Sequence, residues 1–119
     1  MKIIGRDQFL ALPSHAVYSK YTDENLEELS VKQDTVPSGT DFRYQGLVTT
    51  IDSEGPARKG FCLTLSEAAS TGLSVAMDFE SSWRDGLFEE DQLFAVWEEA
   101  DIRGLIGRLQ QCLPKDAGG

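Results

Sequence analysis

One histidine and two cysteines are the only imidazole and thiol groups in these 119 residues. A structural zinc site draws about four ligands from such residues, and no CxxC or comparable spacing exists between Cys62 and Cys112. Each cysteine lies in an apolar helical pattern, so both are expected as small core residues, and a disulfide is not expected in a cytosolic chain. His15 follows Pro13 and Ser14 at the start of a predicted strand. A serine and a histidine adjacent in sequence do not make a nucleophile and base, which must converge in space with an orienting acid. His15 is expected at a turn or on the surface.

Other absences narrow the chemistry further. Glycine-rich phosphate loops of the Walker or Rossmann kind are missing. The run Asp85 to Asp91 lacks the alternating oxygen ligands and mid-loop glycine of a calcium loop. Hydrolysis by a carboxylate pair needs one acid with a raised pKa in a cleft, and no local feature singles one out among twenty. The sequence therefore assigns no catalytic, cofactor-binding or metal-binding residue. No apolar run approaches the ~18 residues of a membrane helix, and the opening Met-Lys-Ile-Ile-Gly-Arg-Asp lacks the apolar region of a signal peptide. A soluble, cytoplasmic protein is expected.

Positive charge is also scarce: eleven bases face twenty acids, for a net charge of −9. Nucleic-acid binding depends on neutralising phosphates with Lys and Arg, and no cluster of them is apparent. The same balance opposes an anionic membrane surface. A basic protein partner is what it permits, because complementary fields speed encounter and fix register. Charge that serves only solubility is the plainer alternative.

What the chain does have is concentrated in Trp83 to Leu113. Leu93 to Trp97 (LFAVW) is a short apolar run bounded by charge, which its length makes a strand. Ile102, Leu105, Ile106, Leu109, Cys112 and Leu113 then form one apolar stripe at helical spacing, predicting a buried helix over 101–113. Asp101 is placed to cap it, Glu98 and Glu99 suit its N-terminus, Arg108 and Lys115 its C-terminus, and Pro114 ends it. Gly104 and Gly107 fall on the face opposite the stripe.

The rest divides by pattern. Residues 6–12 predict a short helix ended by Pro13, with Phe9 and Leu10 inward. Strands are expected at 16–21, with Ala16, Tyr18 and Lys20 on one face, and at 29–33, joined through the turn chemistry of Thr22 to Asn25. A third is expected at 42–51, with Gly46 as a bulge, and a helix through Tyr44 to Ile51 is the competing reading. A second helix is expected over 57–71, with Phe61, Leu65 and Ala68 on its stripe and Gly72 as a left-handed cap. Leu73 to Phe79 alternates like a half-buried strand. These readings give one α+β domain over 1–119: a mostly antiparallel sheet of about five strands, with two main helices packed on one face.

RDGLFEEDQLFAVWEEADIRGLI, and the opening DQFLALPSHAVYSKY, resemble segments of short acidic proteins of bacteria and their phages. No agreed activity attaches to that group, so the resemblance implies no site residue.

Eight carboxylates and one cation, Arg84, lie between Glu80 and Asp101. That imbalance points to a non-catalytic protein-binding module, an inhibitor of the immunity or anti-defence type acting on a basic partner, with nucleic-acid mimicry as a special form. Trp83, Arg84 and Phe88 would anchor the partner, and Asp85, Glu89, Glu90 and Asp91 would steer it. The opposing expectation is that Trp83 and Phe88 tuck under the sheet as core. A small-ligand or metal-binding domain and a cryptic small enzyme are the alternatives, and a deep apolar pocket would favour either.

Overall fold

The computed structural model describes residues 1–53 and 60–115. Ten elements follow in chain order: β1 (Lys2–Ile4), α1 (Arg6–Leu10), β2 (Ala16–Thr22), β3 (Asn25–Leu26), β4 (Ser30–Thr35), β5 (Phe42–Gly46), α2 (Phe61–Thr71), β6 (Trp83–Arg84), β7 (Leu93–Val96) and α3 (Glu99–Gln110). The fold is α+β. All seven strands join one sheet in the order β1-β7-β2-β4-β5-β6, with β3 on the end of β2, and every pairing is antiparallel.

β7, near the end of the chain, lies between β1 and β2, and α1 crosses over it from one to the other. Cross-strand partners share a face. The pairs Tyr18↔Val96, Lys20↔Phe94 and Ala16↔Lys32 thus put the predicted Tyr18 face of β2 beside Phe94 and under α1. Phe9 of α1 drops into that face. Its ring stacks on Phe94 at 3.9 Å and meets Tyr18 and Phe42 edge-on at 4.7 and 5.0 Å. All four rings are buried, with Ile4, Leu10, Leu12, Tyr44 and Val96 around them. Each aromatic contributes both its buried area and its edge-to-face geometry.

The two longer helices sit differently from expectation. α3 has no buried residue, and α2 buries only Thr64. Phe61, Leu63, Leu65, Ile106, Leu109 and Leu113 are exposed, as are Cys62 and Cys112, so neither cysteine is a core residue. The apolar ground above β7 is already filled by Phe9 of α1, which packs on that strand. α3 also starts earlier than predicted, with Glu98 as cap. Asp101 serves as the third helical residue, its carboxylate accepting the Glu98 N–H at 2.9 Å.

Other differences are local. Two short edge strands, β1 and β6, were too brief to carry a period. Leu73 to Phe79 forms no strand: only the bridge Ile51↔Met77 survives, and Leu73, Met77 and Phe79 face water. β5 ends at Gly46, and the register shift lies instead in β4, between Lys32 and Thr35. Gly46 lies against Glu28: a Cβ there would meet its carboxylate at 2.6 Å, so that side chain would have to shift. The predicted start of α2 at 57–59 lies outside the described residues, and its Gly72 cap is left-handed as expected. Among the described residues, no helix is long and apolar enough to cross a membrane.

Candidate functional site

The segment 83–91 is built with its polarity reversed. Asp85, expected at the surface to steer a partner, is the buried member: its side chain is 3% exposed. Lys20 of β2 donates to it at 2.7 Å, Arg6 of α1 lies 4.0 Å away, and the Leu87 N–H donates to its second oxygen at 3.3 Å. A carboxylate drawn from water in a tight turn needs such partners, and Lys20 and Arg6 supply the cations. Asp85 is therefore an internal fastener and leaves the steering set. A second buried carboxylate, Asp41, receives Nε and Nη2 of Arg84 at 3.0 and 2.7 Å and the Gly86 N–H at 3.1 Å. Arg84 is half exposed but committed to that bond.

With the backbone held from below, the apolar side chains point outward. Trp83 is 49% exposed, Leu87 61% and Phe88 53%. Phe88 also adopts a left-handed backbone, φ 52°, which costs about 1–2 kcal/mol for a residue with a Cβ. The expectation that these aromatics form core is overturned. Lys20, Asp41 and Asp85 take the inside positions, and ion pairs satisfied there leave Trp83, Leu87 and Phe88 outside.

Glu89, Glu90 and Asp91 follow, all exposed, with Glu89 3.2 Å from Lys20. Gln92 then turns the chain into β7. Its buried amide donates to Tyr21 O at 2.9 Å, Thr22 Oγ1 at 3.2 Å and Leu93 O at 2.8 Å, which ties the loop to the β2–β3 hairpin. At the tip of that hairpin Asp23 and Glu24 are both left-handed, φ 50° and 65°. A two-residue turn of this kind normally selects Asn-Gly or Asp-Gly, so carboxylates stand where glycine chemistry would be easier. Hairpin and loop enclose an open cleft of about 820 Å³. Its lining residues are Tyr21, Thr22 and Leu93, the amide Gln92, and five carboxylates: Asp23, Glu24, Glu89, Glu90 and Asp91.

Titratable groups near the 83–91 segment are shifted by burial and by their partners. Burial pulls Lys20 down, but the bonds to Asp85 and Glu89 outweigh it and leave its pKa raised. Burial raises Tyr18 well beyond its ordinary value, and the Asp85 charge adds to this; Tyr44 shifts up for the same two reasons. Burial alone would push Asp41 up, yet the N–H groups of Gly86 and Phe42 and the Arg84 guanidinium hold it below the usual carboxylate range. A general acid at neutral pH needs the opposite shift. Among the described residues, no group of three or more His, Cys, Asp or Glu is arranged to hold a metal ion. His15 is exposed in a left-handed turn.

No family model, no curated protein and no solved structure matches the chain. The geometry of the loop and cleft is accordingly what any functional reading rests on.

The sequence singled out 83–91 through its charge and aromatic content; the structure leaves Trp83, Phe88, Glu89, Glu90 and Asp91 all exposed, with the three acids in the cleft and Trp83 on β6, beside the cavity near Tyr44. It missed Asp23 and Glu24, the far wall of the cleft. Their signal was present, since two acids occupy a hairpin tip where Asn-Gly is normal, but the pairing of β2 with β7 that brings them opposite Glu89 is non-local.

Proposed function

We propose that the protein is a non-catalytic acidic binding module whose cleft receives a basic segment of a partner protein. In this reading it is a cytoplasmic inhibitor of the immunity or anti-defence type, and mimicry of nucleic acid would apply where the partner itself binds phosphates. The observation that carries it is that Trp83, Leu87 and Phe88 stay in water beside exposed Glu89, Glu90 and Asp91, while Asp85 of the same segment and Asp41 beneath it are buried. Aromatic anchors bordered by charge are the usual composition of an interface. The five carboxylates of the cleft supply a field of one sign that speeds the arrival of a cation. Asp85 takes no part in that field, and Arg84 acts by presenting the loop.

A synthetic amphipathic helix of Lys and Leu is the simplest probe. Its binding, followed by the anisotropy of a dye on the probe, should weaken as salt rises. Reversing Glu89, Glu90 and Asp91 to lysine should abolish it while leaving the melting curve in place. Binding that survives the reversal would remove the cleft from the interface.

One observation favours a second reading, a small-ligand domain. A cavity of about 350 Å³ lies among Tyr44, Thr50, Ile51, Phe61 and Trp83, within the size range of ligand pockets. A ligand there would protect Trp83 from quenching in the triple-lysine variant as well as in the wild type, which separates it from the cleft.

A further inference from the structure

α3 leaves an apolar stripe in water: Ile106, Leu109 and Leu113 are exposed, and Ile102 and Leu105 only half-buried. From Arg103 to Lys115 the same segment carries three cations, Arg103, Arg108 and Lys115, and no acid. No other acid-free stretch of this chain carries three. Arg103 meets Glu99 at 3.4 Å with both side chains largely exposed, a contact worth little in water. Arg108 donates to the Gln111 amide oxygen at 3.0 Å, a neutral acceptor. The segment from Arg103 to Lys115 is thus basic, apolar and uncovered, while the cleft between hairpin and loop is lined by five carboxylates and has exposed apolar residues beside it.

We infer that the basic half of α3 docks in the acidic cleft of a second copy of this chain. This rests on the cleft being a binding surface, as proposed above, and names its occupant. The occupant comes from another molecule, because within one copy Ile106, Leu109 and Leu113 on the helix side and Glu89, Glu90 and Asp91 in the cleft are all exposed and do not cover each other. Contact between unlike surfaces of identical chains is heterologous and closes only where the rotation allows. Ile106, Leu109 and Leu113 would meet Leu87, Phe88 and Leu93, while Arg103, Arg108 and Lys115 meet the carboxylates and set the register.

A charge swap tests this. One variant carries Glu89→Lys, Glu90→Lys and Asp91→Lys; the other carries Arg103→Glu, Arg108→Glu and Lys115→Glu. Sedimentation is measured from micromolar to millimolar concentration, with circular dichroism to show that both fold. Should reversal unfold the cleft variant, Glu89→Gln with Glu90→Gln and Asp91→Asn replaces it. The wild type should rise above its monomer mass of 13.1 kDa with concentration. Each variant alone should stay at monomer mass, and an equimolar mixture of the two should regain the complex. The cleft reversal moves the net charge from −9 towards zero, which by itself lowers repulsion between copies, so its failure to associate is the informative sign. A wild type that stays monomeric throughout, a cleft variant that associates like the wild type, or a mixture that stays monomeric would each overturn the inference. If the wild type is monomeric yet still captures the Lys/Leu helix, only the self-docking falls. If the helix is not captured either, the binding surface falls with it.

Discussion

Lys32 shows how far a single side chain can depart from its type. It is fully buried, and its ammonium donates to Leu12 O at 2.9 Å, Gln33 O at 3.0 Å and Thr35 Oγ1 at 2.9 Å, beside the Phe9 ring. Burial lowers its pKa, partly offset by Asp34. Lys32→Met keeps the stem but strands those acceptors, and should cost about 2–3 kcal/mol in a urea melt; a cost below about 0.5 kcal/mol would mean that water replaces the ammonium. Asp41 gives a pH-dependent counterpart. Its folded pKa is depressed, so the stability it contributes is fully present above its unfolded value near 4 and is lost as pH falls through the lower folded value. The difference between wild type and Asp41→Asn should therefore be largest at neutral pH and shrink below about pH 4. A difference that does not change with pH would show that Asp41 acts by shape alone. Neither residue could be recognised in the sequence. Lys32 was read as a strand residue of no special role, and Asp41 preceded a strand, because what buries them is contributed by α1 and β6 from elsewhere in the chain.

Elements were legible where one local period governed them. β2 alternates as read, α1 ends before Pro13, and α2 closes on Gly72. The alternation of Leu73 to Phe79 and the stripe of α3 were equally clear, yet neither is buried. Periodicity reports which residues share a face and says nothing of what covers it. Two element-scale predictions follow from that distinction. A Cβ at Gly104 or Gly107 meets nothing within 4 Å, so Gly104→Ala and Gly107→Ala should each raise stability by about 1 kcal/mol, whereas a loss would reveal a close neighbour. Leu109→Ala on the exposed stripe should cost less than about 1 kcal/mol, against about 3–5 kcal/mol for Phe9→Ala in the aromatic cluster. The hairpin tip makes the reverse case. Asp23→Asn with Glu24→Gly should relieve left-handed strain and raise stability by about 1 kcal/mol, while weakening capture of the Lys/Leu helix. Gain in stability without loss of capture would place the tip outside the interface.

At the scale of the whole molecule, an aromatic core of Phe9, Tyr18, Phe42 and Phe94 shares the interior with Lys32 and Asp41, while Trp83, Leu87, Phe88 and Ile106 stay exposed. The α+β class and the antiparallel sheet were legible because strands come in consecutive runs. The placement of β7 between β1 and β2 was not, since it joins the two ends of the chain. That placement brings Glu89, Glu90 and Asp91 opposite Asp23 and Glu24, and it makes the cleft. The most direct test of the cleft as a recognition surface is the association rate of the dye-labelled Lys/Leu helix, measured by stopped-flow anisotropy at low and high salt. The wild type should associate fast at low salt and slow markedly as salt rises, and the Glu89→Lys, Glu90→Lys, Asp91→Lys variant should be slow at both. Equal rates and equal salt dependence in the two proteins, with unchanged melting curves, would contradict the account.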